Sequence, residues 1–200
     1  MHPLGGRAHT IDPELHRMRR GAILDAAYRQ FALAGYDRTT TAAICRDAGI
    51  SSGTFFHYFP TKLAVMVGIL AAGTEETREQ LRRLDERNRG LPALVEYAEE
   101  LEAEMADEHY GGFVHAVSGI AQLPEIQAAL AEEAELTRGF LRERLAEAAA
   151  DGELRKDASV ESLARWTTWL IDGAAEGAVE SAMTAGQLPR ALRALLERRP

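Results

Sequence analysis

The chain has 200 residues, 46% of them hydrophobic and 27% charged, enough for one large domain or a small domain joined to a larger one. Cys45 is the only cysteine, which excludes an internal disulfide and thiolate metal clusters. The formal net charge is -8, but residues 1–70 hold eight Lys or Arg against five Asp or Glu, while the rest hold fifteen against twenty-six. Only the first third suits a polyanion, and the remainder repels one.

Ala, Leu, Glu and Arg dominate and alternating β-branched runs are missing, which predicts an all-α chain. Residues 1–12 lack periodicity and are expected to form a mobile arm. From Glu14 to Leu33, Ile23, Leu24, Ala27 and Phe31 recur at helical spacing, and Gly35 follows as a C-cap. Thr40 precedes a short helix through Ala48, Gly49 and Ile50 make a turn, and Ser51 caps a second short helix ending near Tyr58. After Pro60, Thr61 caps a long helix from Lys62 that dissolves into the charged stretch 85–89.

Beyond Gly90, Pro92 lies in the first turn of a helix with Leu94, Ala98, Leu101 and Met105 on one face. Gly111 and Gly112 are expected to break the chain before a short apolar segment, Phe113 to Ala121. Pro124 opens a helix ending at Asp151 and Gly152, and two more are predicted, Val160 to about Thr184 and Pro189 to Arg199. The most apolar run, Leu63 to Ala72, is too short for a bilayer, and no cleavable leader is evident, so a cytoplasmic protein without membrane contact is expected.

The stretch from Thr41 to Tyr58 carries the function. Ile44, Ala48, Ile50, Phe55 and Tyr58 point inward, Cys45 fills a crowded position, and Gly49 takes the turn. That is the spacing of a helix-turn-helix. The helix starts at Thr40, Ser51 and Thr61 each offer unpaired N–H groups and a positive dipole to a phosphate. Ser52 and Thr54 can bond base edges or phosphates, Gly53 admits close backbone approach, and His57 lies one turn on.

The run TTAAICRDAGISSGTFFHYFPTKLAV, with the preceding helix and Gly35-Tyr36, closely resembles the DNA-binding domain of the TetR family of bacterial transcriptional regulators, over residues 17 to 70. The resemblance implies a three-helix DNA-binding domain at 13–61, a larger helical ligand-binding and dimerisation domain at 62–200, and repression relieved by a small molecule. It implies DNA contacts at Thr40, Ser51, Ser52, Gly53, Thr54 and Lys62, to which the reading of the residues adds Thr41 and, as further contacts, His57 and Tyr58. One position departs: Phe56 stands where the family usually carries a phosphate-bonding tyrosine.

In the second half, the helix from Val160 has two faces. Leu163, Leu170, Gly173, Ala174 and Gly177, with Leu192 and Leu195 of the last helix, are the expected interface of a homodimer, which brings two readers to a two-half-site operator of double-stranded DNA. The other face carries Trp169, Asp172 and Glu176, a setting for a cationic ligand, against the plainer reading of a solvated acidic edge. His109, Phe113 and His115 lie in the segment that lines the ligand cavity in the resembling family. The effector is an unknown small molecule, and neither a cofactor nor a metal is expected. No nucleophile–base pair, phosphate-cradling loop or zinc pair is legible, so the chain is read as a regulator and not an enzyme. The alternative is a DNA-binding module without an effector or controlled by a partner.

Overall fold

A computed structural model describes residues 13–180 and 185–198, apart from the side chains of 179 and 180. The expected N-terminal arm, the end of the eighth helix near Thr184 and the last helix's end at Arg199 lie outside the described residues. Within them the chain is all helical apart from an isolated bridge between Leu154 and Glu197. In order come α1 (Pro13–Ala34), α2 (Thr41–Asp47), α3 (Ser52–Tyr58), α4 (Lys62–Arg87), α5 (Gly90–Met105), α6 (Tyr110–Ser118), α7 (Pro124–Ala150), α8 (Val160–Glu180) and α9 (Gln187–Leu196). Among the described residues no single helix is long and apolar enough to cross a membrane.

Local chemistry sets most boundaries. Gly35 leaves α1 with a φ of 77°, and Gly49 turns between α2 and α3 at 64°, values at which a side chain is strained. The hydroxyls of Thr40, Ser51 and Thr61 accept from the N–H groups of Ala43, Thr54 and Ala64 at 3.1, 3.1 and 3.0 Å. Two helix starts that lack a cap of their own borrow one. Glu147 and Glu153 each accept, at 3.1 Å, from Gly90 and Leu91 at the head of α5. Glu102 accepts from Gly186 and Leu188 at the head of α9, at 2.5 and 3.0 Å. These carboxylates also answer the positive end of each helix dipole.

The expected break at Gly111 and Gly112 does not occur. Both lie inside α6, and Gly112 is where α6 crosses α1: an added Cβ would stand 2.2 Å from the carbonyl oxygen of Ala32. The glycine is needed for contact between helices, not for a turn. Gly68 does the same for α4, where a Cβ would meet the Phe59 ring at 2.9 Å and Leu24 at 3.1 Å.

Two cores result. One joins Ile23, Phe31, Ile44, Phe55, Phe59, Val65 and Met66, and is closed by Ala116, Val117 and Ile120 at and beyond α6 and by Ile126 of α7. The other joins Leu84, Leu94, Leu141, Leu145, Leu163, Leu188 and Leu196. Full burial of side chains such as Phe31, Phe55 and Ile44 stabilises by roughly 1.5–3 kcal/mol each, which lets a helix as short as α3 hold its place.

Candidate DNA interface and effector cavity

The helix α3 divides its residues by size. Phe55 is fully buried and Phe59, its C-cap, nearly so, with the Arg20 guanidinium 5.3 Å above the Phe59 ring. Tyr58 is half-buried against His16, ring centroids 4.6 Å apart. On the other side Ser51, Ser52, Gly53 and His57 are exposed. A Cβ on Gly53 would meet nothing closer than the Ser51 hydroxyl at 3.8 Å, so no packing within the chain requires glycine there.

The polar groups of this surface are partly engaged already. Ser51 Oγ lies 3.0 Å from Thr54 Oγ1 and also accepts the Thr54 N–H, which leaves the half-buried Thr54 held against the helix start. Thr40 is exposed at the head of α2, and Thr41 beside it is half-buried. Phe56 is 52% exposed and packs edge-on to Phe55 at 5.2 Å.

Lys62 faces inward. Its Nζ donates to the carbonyls of Tyr36, Asp37 and Thr39 at 2.5, 3.3 and 2.9 Å and stands 4.2 Å from the Tyr36 ring centre. An ammonium has three N–H groups, and all three have acceptors. Burial holds its pKa below the usual lysine value, partly offset by the nearby Asp37 charge. Lys62 thus pins the loop that leads into α2, a role its position in the sequence did not reveal.

Behind the reader lies a cavity of about 800 Å³ walled by α1, α4, α5, α6 and α7. Tyr28, Tyr97, Tyr110 and Phe113 line it together with Glu76, Glu104, Asp107 and Glu133. Tyr28 and Phe113 have ring centroids 4.7 Å apart, and the Tyr28 hydroxyl donates to Asp107 at 3.5 Å. Thr77 donates to Glu133 at 3.1 Å. Burial, with Asp107 and Glu104 nearby, pushes the Tyr28 phenol up to about 12. Tyr110 is raised to about 12 by burial and then by Glu104 and Glu133. Burial first, then the Glu133 and Glu76 charges, raise the pKa of Glu104, which lines the cavity and is itself exposed.

The expected ligand residues separate. His109 and Phe113 line this cavity. His115 is exposed in a different depression, between the end of α1 and α6. Trp169 is 61% exposed on a shallow groove between α7 and α8, and the exposed Asp172 and Glu176 do not line the cavity. Burial, opposed by a bond from Thr137, and then the charges of Glu133, Glu104 and Asp172 push the Tyr97 phenol up to about 12. Glu104 and Glu133 were missed, although Tyr97, Leu101 and Glu104 fall on one helical face at spacings of four and three.

The residues expected at a dimer interface also divide. Leu163 and Leu192 are buried in the chain's own second core, and Leu170, Ala174 and Leu195 pack against it while half-exposed. Gly173 and Gly177 are exposed, and a Cβ on either would meet nothing within 4 Å.

Known proteins resemble this chain in sequence and fold. The profile of the family described as bacterial regulatory proteins, tetR family, matches residues 23–68, from the middle of α1 into α4. The transcriptional regulator UidR of Escherichia coli (strain K12) is 28% identical over 141 residues, 69% of this chain and 70% of that protein. The transcriptional repressor AcnR of Corynebacterium jeikeium is 27% identical over 161 residues, 78% of each chain. A regulator from Saccharomonospora viridis, solved in complex with choline, superposes with a TM-score of 0.78 at 17% identity, covering 92% of this chain and all of that one. At that identity the likeness speaks for the fold.

Proposed function

The chain belongs to the TetR family of DNA-binding transcriptional regulators, and from that premise we propose that it is a homodimeric repressor released from its operator by a small molecule. The observation that carries this reading is the placing of an 800 Å³ cavity against the same helix, α1, that supports the reader. A DNA-binding module without an effector has no use for such a space.

In this reading residues 13–61 meet DNA and 62–200 bind effector and partner. The heads of α2 and α3, with Thr40, Thr41, Ser51, Ser52, Gly53 and Thr54, approach phosphates and the major groove, and His57 and Tyr58 extend that contact by one turn. Lys62 contributes by holding the Tyr36–Thr39 loop in place. Short hydroxyl side chains discriminate bases less than a bidentate arginine would, so affinity rests on phosphates and on two protomers binding together.

The dimer is supported by the outer face of α8, where Trp169, Gly173 and Gly177 are exposed in line. Asp172 and Glu176 beside them are acidic, and the exposed Arg190 and Arg193 of α9 are basic, so α8 of one protomer complements α9 of the other. Leu170, Ala174 and Leu195 then complete their burial across the interface, while Leu163 and Leu192 stabilise it from within. Effector binding shifts α4, which begins at Lys62, and moves the two recognition helices off the roughly 34–36 Å separation of successive major grooves.

Operator footprinting with and without candidate effectors tests the reading. Protection that disappears with effector supports it; protection indifferent to every effector favours a module controlled by a partner. Thr54→Ala and His57→Ala are expected to weaken operator binding at matched salt, and wild-type affinity in both would overturn the placement of α3.

A further inference from the structure

Two independent linings of the cavity select the same ligand chemistry. The aromatic lining comes from Tyr28, Tyr97, Tyr110 and Phe113, whose ring faces carry partial negative charge. The second lining is carboxylate: Glu76 from α4, Glu104 from α5 and Glu133 from α7 converge from three helices.

Nothing in the wall neutralises them. Its arginine, Arg29, is engaged by Asp47 at 2.8 Å, and His109 stands beside Asp107 and Glu108 at 3.7 and 3.8 Å. Among the described residues Glu76 and Glu104 have no ion-pair partner. Glu76 and Glu104 are exposed and Glu133 is half-buried, and like charges gathered on one wall repel one another; burial first, and the neighbouring carboxylates after it, raise the pKa of Glu104, Tyr28 and Tyr110.

We propose that the cavity binds an organic cation, a quaternary or protonated amine carrying an apolar portion, held between Glu104 and Glu133 and the rings of Tyr28, Tyr110 and Phe113. This rests on the effector-release reading for the consequence of binding, not for binding itself. Trp169, which the sequence offered as one setting for a cation, lies instead on the separate groove between α7 and α8. An anionic effector would set its charge against Glu104 and is disfavoured.

The test is calorimetric titration of the full-length protein with benzyltrimethylammonium, tetraethylammonium and, as the anion, phenylacetate, at matched ionic strength. At least one cation is expected to bind about tenfold or more tighter than phenylacetate. Combining Glu104→Gln with Glu133→Gln should weaken it by about tenfold or more, and Trp169→Ala should leave it within about twofold. Failure of both cations to bind, equal binding of phenylacetate, or an unaffected double variant overturns the proposal.

A ligand-free measurement runs beside it. Glu104→Gln relieves repulsion, so the melting temperature of the free protein should rise, and a fall would make Glu104 a structural residue and overturn the assignment. The two readings fail separately. Cations that bind as described but leave the operator occupied remove effector release and keep the site; release by neutral or anionic compounds alone does the reverse.

Discussion

The guanidinium of Arg29 meets the carboxylate of Asp47 at 2.8 Å, joining a wall of the cavity to the last turn of the helix that precedes the recognition helix. Gln30 donates to the other oxygen of Asp47 at 3.1 Å. The bond from Arg29, then that from Gln30, hold Asp47 below the usual carboxylate value. A pair this open to solvent adds at most about 1 kcal/mol to stability, and under the proposed effector release it is expected to act in coupling. Asp47→Asn is expected to leave the fold and operator affinity nearly intact while reducing effector-driven release by about fivefold or more. Fluorescence anisotropy of labelled operator, with and without effector, reads this directly; unchanged release would place the coupling elsewhere.

Two glycines inside helices should respond oppositely to alanine. At Gly112 the new methyl collides with the backbone of Ala32, and separating α6 from α1 should cost about 1–3 kcal/mol. At Gly139 in α7 the methyl meets nothing within 4 Å, and removing backbone freedom should stabilise by about 0.5–1 kcal/mol. Urea unfolding of both variants distinguishes the outcomes, and a neutral Gly112→Ala would mean the two helices are not closely packed.

Phe56 stands 52% exposed on the recognition helix without a polar end. Phe56→Tyr adds a hydroxyl at the position where related readers bond a phosphate, and operator affinity should rise several-fold, since a hydrogen bond to a charged group is worth about 1.5–3 kcal/mol before desolvation is deducted. Stability should not change, because the ring is already in solvent. Equal affinity in electrophoretic mobility shift would show that Phe56 does not face the backbone of DNA.

The helix starts at Thr40, Ser51 and Thr61 were legible because a cap is a local event, one hydroxyl and an N–H three residues on. The all-helical fold and the reader's inward residues were legible for a similar reason, since periodicity encodes which face is buried. Gly112 was misread as a break because its role depends on Ala32, eighty residues earlier, and no local pattern names the partner helix. Trp169 and Glu104 illustrate the same limit. A carboxylate on a helix resembles a solvated charge until neighbouring helices bring rings and further carboxylates to the same cavity, and a tryptophan suggests a pocket until it is found outside one. Lys62 lay in the expected place, but its direction was set by three carbonyls of a distant loop.

Acid should loosen the last helix before the reader. Burial would raise Glu102, yet bonds from the N–H groups of Leu188, Gly186 and Gln187 outweigh it and leave its pKa below the usual glutamate value. A depressed carboxylate contributes stability that is complete above its unfolded pKa and is lost as pH falls through the folded one. Glu102→Gln should therefore cost about 1–2 kcal/mol at neutral pH and less at an acid pH below the usual carboxylate range, as Glu102 takes up a proton. Denaturant unfolding at the two pH values checks this, and a cost independent of pH would show that the charge is not what holds α9.

Because Ala116, Val117, Ile120 and Ile126 close the core on which α3 rests, the DNA reader of this protein is not a portable cassette. A hybrid regulator spliced after Thr61 would inherit the operator-facing surface with a foreign floor beneath it. Retargeting by exchange therefore has two workable routes: replace only the solvent-facing residues of α3, or carry α6 and the head of α7 along with the reader.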